Sequence, residues 1–392
     1  MKTKYQIVVL GLANPYLNKI KDTLNIRLSD LGISLDSFIY IDENTFKDSY
    51  IGNAPTVGLY FGGNATNFPH LDILDKVIAG SNIVLPIVED LENFKKLVPP
   101  SLIPINGVEL KDENKIEPLV SRILEVLGLL RLSRRLFISY RRNESTGVAI
   151  QLFEKFEKAG FDVFLDTHSI KEGDIFQDEL WHRLVDTDVV VLLNTKGFLE
   201  SKWTEEELAR ASAMSIGILQ IVWPNHTAER SSELSIPIKL SDDDFENNKY
   251  DIKNCQLIES VIPGLISTAE SLRARSLGAR QDNLVTEFMN SAKNQNVTSH
   301  LQPEKFINVI HRDGTEVIII PTIGVPHAFT YNQSEELIKS IKAHKAKEIF
   351  LLYNHMYIRE KWLQHLSWLD EYLPVSTIKL NERDNWLKKF QS

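Results

Sequence analysis

Trp203 and Glu207 stand four residues apart in Ser201-Lys202-Trp203-Thr204-Glu205-Glu206-Glu207-Leu208. Ser201 suits a helix N-cap, and acids suit the first turn that follows. At that spacing the ring and the carboxylate lie on one helical face, one above the other. A carboxylate so placed can stabilise positive charge developing on a substrate. An acidic first turn that merely offsets the helix dipole accounts for Glu205 and Glu206 without chemistry. A second cluster is Arg141-Arg142, which ends the apolar run Leu136-Phe137-Ile138-Ser139-Tyr140. Paired guanidinium forks past a strand end match the oxygens of a pyrophosphate. The competing reading takes the five arginines between Arg131 and Arg142 as a solvated linker run. Tyr140 and Trp203 either stack on an aromatic base or pack in the core. Lys171, in Ile170-Lys171-Glu172-Gly173, taken by itself reads as a solvated loop lysine, with Gly173 suited to a positive φ. Asp166 reads as a residue that orders this loop.

These side chains need strands to hold them. Leu136 to Tyr140, Gly160 to Asp166, Asp188 to Asn194 and Gly217 to Pro224 are strand-like runs separated by helix-length segments. Buried strands alternating with helices predict a parallel sheet covered on both faces. Polar residues at the carboxyl ends of such strands share one crevice, where these folds bind ligands.

The whole chain has 392 residues, 43% hydrophobic and 25% charged, room for two or three globular domains. A net charge of −9 without a long basic block argues against nucleic acid as a partner. No apolar run approaches the ~20 residues of a membrane span. The lysines and apolar run of Met1 to Ala13 resemble a signal peptide but read better as a first strand. The single cysteine, Cys255, excludes an intrachain disulfide and fits a reducing, cytoplasmic setting. Six histidines between His300 and His365 show no metal-ligand spacing, so no metal is expected. Gly62-Gly63-Asn64 lacks both a dinucleotide fingerprint and a P-loop lysine, and reads as a tight turn.

Taken in order, residues 1–131 form a first α/β unit. Its strands are expected at Gln6–Leu12, Asp36–Asp42, Thr56–Phe61, Asn82–Val88 and Leu102–Val108, and its helices at Asn14–Leu31, Leu71–Ala79 and Lys115–Leu130. Slid by 134 positions, Asn67 to Asp90 lies over Ser201 to Pro224, and the order of elements repeats. Glu207 then falls on Ile73, and Gly11-Leu12-Ala13 stands where the second unit has its arginines. The first unit therefore reads as catalytically inert. Residues 132–275 form the second unit, closed by a helix from about Cys255 to Arg275 that Pro263-Gly264 should interrupt. Residues 276–392 form a third α/β unit, entered through a helix near Leu284 to Met289 and a polar linker. Its later strands are expected at Val317–Ile320, Glu348–Tyr353 and Val375–Leu380, and its helices at Ser334–His344, Arg359–Tyr372 and Arg383–Phe390.

Phe137-Ile-Ser-Tyr-Arg-Arg-Asn143, Gly160-Phe-Asp-Val-Phe-Leu-Asp166 and Trp203 four residues before Glu207-Leu208 together resemble a TIR (Toll/interleukin-1 receptor) domain. They are most similar to the NAD+-cleaving branch, which includes bacterial antiphage effectors and an animal axon-degeneration protein. The resemblance covers roughly a third of the chain. It implies a fold of tandem flavodoxin-like parallel sheets, a degenerate TIR-like unit and a TIR domain, followed by the C-terminal α/β unit. It implies Glu207 as the catalytic glutamate, Lys171 in a loop used for assembly and substrate closure, and NAD+ as substrate with no further cofactor. It also implies activation by homo-oligomerisation, with a nucleotide or protein trigger acting through the flanking units. The rival readings are a non-enzymatic TIR scaffold and a cyclase that makes cyclic ADP-ribose.

Overall fold

The computed structural model describes residues 5–52, 54–63, 67–165, 176–197, 214–228, 234–302, 305–311, 314–340 and 346–390, with backbone alone at 176–180, 337–338, 340 and 346–347. The described strands build three five-stranded sheets. Each sheet is built from a consecutive run of strands. The residues group into two compact units, 1–132 with 263–274, and 133–262 with 275–392.

In the first sheet β1 (Tyr5–Gly11), β2 (Phe38–Ile41), β3 (Thr56–Phe61), β4 (Ile83–Val88) and β5 (Val108–Glu109) are all parallel, in the order β2-β1-β3-β4-β5. All six residues of β3 are buried, as expected of a central strand covered on both faces. The covering helices are α1 (Leu17–Asp30), α2 (Phe46–Ser49), α3 (Leu71–Ala79), α4 (Phe94–Leu97) and α5 (Ile116–Val126). The strand expected over Leu102–Val108 shrinks to Val108–Glu109, because Pro104 and Gly107 interrupt the run and only its end pairs with β4.

The second sheet holds β6 (Arg135–Ser139), β7 (Asp162–Leu165), β8 (Val189–Asn194), β9 (Gly217–Val222) and β10 (Ser235–Lys239). Its order, β7-β6-β8-β9-β10, repeats that of the first sheet, again with every pair parallel. The 134-residue shift read from the sequence carries β4 onto β9 residue for residue. The described helices here are α6 (Thr146–Lys158) and α7 (Phe176–Val185).

Next comes α8 (Ile262–Asn294), 33 residues and about 50 Å long. It corrects two expectations. Pro263 lies in the first turn, where no backbone N–H is needed and its φ is already helical, so it opens the helix instead of breaking it. The helix expected near Leu284 to Met289 is continuous with it and runs on to Asn294, five residues into the expected linker, with Leu284, Val285, Phe288 and Ala292 buried along one face. Within the first compact unit, the early part of α8 buries Arg273, whose Nη1 donates to Glu125 Oε1 at 2.8 Å.

The third sheet is mixed. A hairpin of β11 (Thr298–Leu301) and β12 (Ile307–Ile310) runs antiparallel and leads into β13 (Glu316–Pro321). β13, β14 (Ala346–Tyr353) and β15 (Val375–Lys379) are then parallel neighbours. The helices are α9 (Ala328–Ser340), α10 (Glu360–Tyr372) and α11 (Arg383–Leu387). The hairpin has no counterpart in the sequence reading. β11 is an edge strand whose side chains are mostly exposed, so it lacks the apolar alternation that betrays a strand.

Candidate active site

With the order β7-β6-β8, successive connections leave β6 and β8 in opposite directions, and a crevice opens at their carboxyl ends. Two short segments meet there, Tyr140-Arg141-Arg142 after β6 and Thr195-Lys196-Gly197 after β8. Arg141 Nη1 donates to the Gly197 carbonyl at 2.6 Å and pairs with Glu144 at 3.0 Å. The other Glu144 oxygen accepts the Gly197 N–H at 3.1 Å. One guanidinium and one carboxylate thus hold both polar groups of a single residue. A Cβ at Gly197 would collide with Arg141 Nη1, so only glycine admits the grip.

The carboxyl end of β8 carries further buried polar side chains. Asn194 ends β8 at 1% exposure, donating to the Thr227 carbonyl at 3.3 Å, with His226 Nε2 3.0 Å from its Oδ1. Thr195 is 3% exposed, and its hydroxyl has no partner among the described residues. Just past β9, Trp223 Nε1 donates to the Tyr250 carbonyl at 3.0 Å.

Of the residues singled out in the sequence, Tyr140 is buried, which favours packing over stacking on a ligand. Arg141 is half-buried and occupied by the grip on Gly197. Arg142 is exposed beside it. Lys171, Trp203 and Glu207, with Asp166, lie outside the described residues. The upstream arginines are engaged with the fold, which counts against a solvated run. Arg134 lies 4.7 Å over the Phe161 ring and donates to the Ala159 carbonyl, and Arg135 pairs with Asp186.

The sequence reading missed Glu144, Gly197, Asn194 and His226. Glu144 carried a signal, since an acid three residues after an arginine forms a local pair once the turn closes. Asn194 carried another, as an amide ending an otherwise apolar strand. Gly197 and His226 had none, because their partners come from other segments. Cys255 is buried, and burial pushes its thiol up to about 11, so it stays protonated and inert. Among the described residues no group of three or more His, Cys, Asp or Glu side chains could hold a metal ion.

No curated protein matches this chain. A family model described as "TIR domain" matches residues 136–251, a span that runs from β6 past β10 and contains both halves of the crevice. The strand order, the crevice at the β6–β8 junction and this match agree that the middle of the chain is a TIR domain.

Proposed function

We propose that the TIR domain is an NAD+ glycohydrolase that breaks the bond between the nicotinamide nitrogen and the ribose anomeric carbon. The observation that carries this reading is Trp203 four residues before Glu207, inside the span that matches the TIR family. Ordinary glycosidases need two carboxylates, one of them to protonate a leaving oxygen. Nicotinamide in NAD+ is already cationic and departs neutral, so no acid is required. One carboxylate, Glu207, holds the ribose hydroxyls and the developing oxocarbenium charge. Trp203 and Glu207 follow Gly197 closely in sequence, so the grip of Arg141 and Glu144 anchors the chain just ahead of them. Arg142, exposed at the β6 end, receives the pyrophosphate.

TIR domains commonly self-associate. In our reading assembly completes the site, with Lys171 closing over substrate from its loop, and the flanking units couple assembly to a trigger. Such a design suits a cytoplasmic antiphage effector, silent until infection. No helix among the described residues is long and apolar enough to cross a membrane.

The test is NAD+ turnover by the purified protein across a range of concentrations, with products separated by chromatography. Nicotinamide release that Glu207→Gln abolishes supports the reading, and the partner product distinguishes hydrolase from cyclase. No release at any concentration, in protein that assembles, would leave the scaffold reading.

A further inference from the structure

A cavity of about 240 Å³ lies away from the β6–β8 crevice, at the carboxyl ends of the parallel strands β13, β14 and β15. Thr322, Ile323 and Gly324 follow β13, Asn354 and Tyr357 follow β14, and Leu380 follows β15. Carboxyl ends of parallel strands are where open α/β sheets take ligands. One further wall is a stripe of α8, Arg280, Asn283, Leu284 and Glu287, at the spacing of a single helical face. Three of those four are polar, although a helix face turned toward a sheet is ordinarily apolar. The last wall, Val185 and Met214, belongs to the TIR domain.

The lining defines the ligand. Its two charges are already answered inside the protein. Arg280 donates to the carbonyls of Val185 and Thr187, and Glu287 pairs with Arg383 at 3.5 Å. Among the described lining residues the one cation, Arg280, already donates to main-chain carbonyls, which disfavours a phosphate or carboxylate there. The described lining also has two primary amides, Asn283, whose Nδ2 donates to Ser215 Oγ at 3.4 Å, and Asn354, whose Oδ1 accepts the Met356 N–H at 3.0 Å, which leaves the Asn283 oxygen and the Asn354 NH2 for a ligand; two thioethers, Met214 and Met356, and one phenol ring, Tyr357, complete it. Thioethers and phenol rings pack on aromatic planes, and amides read donor–acceptor edges. Tyr357 itself is held at φ 65°, a conformation bulky residues avoid, which the surrounding structure must enforce.

We propose that this cavity binds an uncharged, planar heteroaromatic molecule with an amide-like edge, the chemistry shared by nucleobases and by nicotinamide. Such a ligand touches the TIR domain directly through Val185 and Met214. It also lies beside the ties of α7 to the third sheet. The Asp186 carboxylate accepts the Val325 N–H at 3.2 Å, and Trp181 and Tyr357 have ring centroids 5.7 Å apart.

The experiment is ligand-observed saturation-transfer NMR on the full-length protein carrying Glu207→Gln, with adenine, adenosine and nicotinamide at millimolar concentration as separate probes. Binding is thereby read without NAD+ turnover, and failure of the enzymatic reading leaves the result intact. Saturable binding of at least one probe is expected. Met356→Trp, which fills the cavity from a half-exposed position, and Asn354→Leu, which removes an amide, should each weaken it about tenfold or more. Which probe responds distinguishes a base from nicotinamide. Absence of binding by all three overturns the proposal, as does binding that both variants leave unchanged, since that signal would come from elsewhere.

Discussion

In the first sheet Leu12 donates its N–H to the Phe61 carbonyl at 2.8 Å, closing the junction between β1 and β3 through the main chain. Gly11, at φ 90°, packs so tightly there that a Cβ would strike the same carbonyl. His70 Nδ1 accepts the Gly11 N–H, and its other nitrogen pairs with Glu43. Gly62 and Gly63 give their N–H groups to Ile87 and Leu97, so this glycine pair has none left to cradle a phosphate. At the matching junction of the second sheet, side chains span the gap, Arg141 and Glu144 holding Gly197. Identical strand order therefore coexists with opposite treatment of the one place where such sheets bind ligands. Topology creates the crevice, and the residues at two strand ends decide whether it stays usable.

The contrast can be broken experimentally, and the largest effect is expected at Glu207. Glu207→Gln should lower NAD+ turnover by about 10²–10³, while His70→Ala in the first sheet leaves it unchanged. An active Glu207→Gln protein would remove the asymmetry between the two sheets.

Next in size is Gly197→Ala. Its Cβ would displace the ends of the Arg141 and Glu144 side chains, so the grip on this residue should be lost and kcat fall about 10- to 100-fold. Near-normal kcat with intact folding by circular dichroism would show that the grip does not position the site.

Arg141 and Arg142 should then separate. Arg142→Ala is expected to raise KM with little change in kcat, the mark of lost uniform binding. Arg141→Ala should lower kcat as well, because Glu144 loses its partner and Gly197 its hold. Identical kinetic profiles for the two variants would contradict the division of labour.

In the first sheet, Gly11→Ala should cost more by urea denaturation than the ~1–2 kcal/mol that φ 90° alone imposes, since its Cβ also strikes the Phe61 carbonyl. NAD+ turnover by the folded fraction should be untouched. A parallel loss of turnover would mean that the first sheet contributes to the reaction.

The smallest effect concerns Cys255. Burial favours the neutral thiol and raises its pKa from 9.0 to about 11. Its stabilising contribution is complete below pH 9 and is lost as pH rises from there toward 11. Alkylation by iodoacetamide at pH 8 should be slow in the native protein and fast in denaturant. Rapid native alkylation would indicate that the segment around Cys255 opens readily.

How far the sequence reached follows from range. β3 and α3 begin and end at the residues expected, Thr56–Phe61 and Leu71–Ala79. β9 coincides with its shifted counterpart β4. Their apolar periodicity is a local property, because each strand or helix must bury its own face. The repeated order of elements along the chain was legible for the same reason, whereas the strand order that the two sheets share was decided by their pairing. Arg141 and Arg142 could be located at a strand end for the same local reason.

What those two arginines touch was not legible. Arg141 meets Gly197 across 56 positions, and no local rule links a guanidinium to a glycine carbonyl so far along the chain. The fate of Pro263 also lay beyond the sequence. Proline is tolerated in a helix's first turn and disruptive later, so its effect depended on where α8 began. That start, and the persistence of α8 to Asn294, were set by tertiary burial of residues such as Leu265, Leu277 and Phe288. The cavity at the ends of β13, β14 and β15 is the extreme case. Residues from 185 to 380 line it, and only folding brings them together. Sequence determined the elements because burial acts within each of them, and tertiary structure decided the sites because their side chains meet across elements.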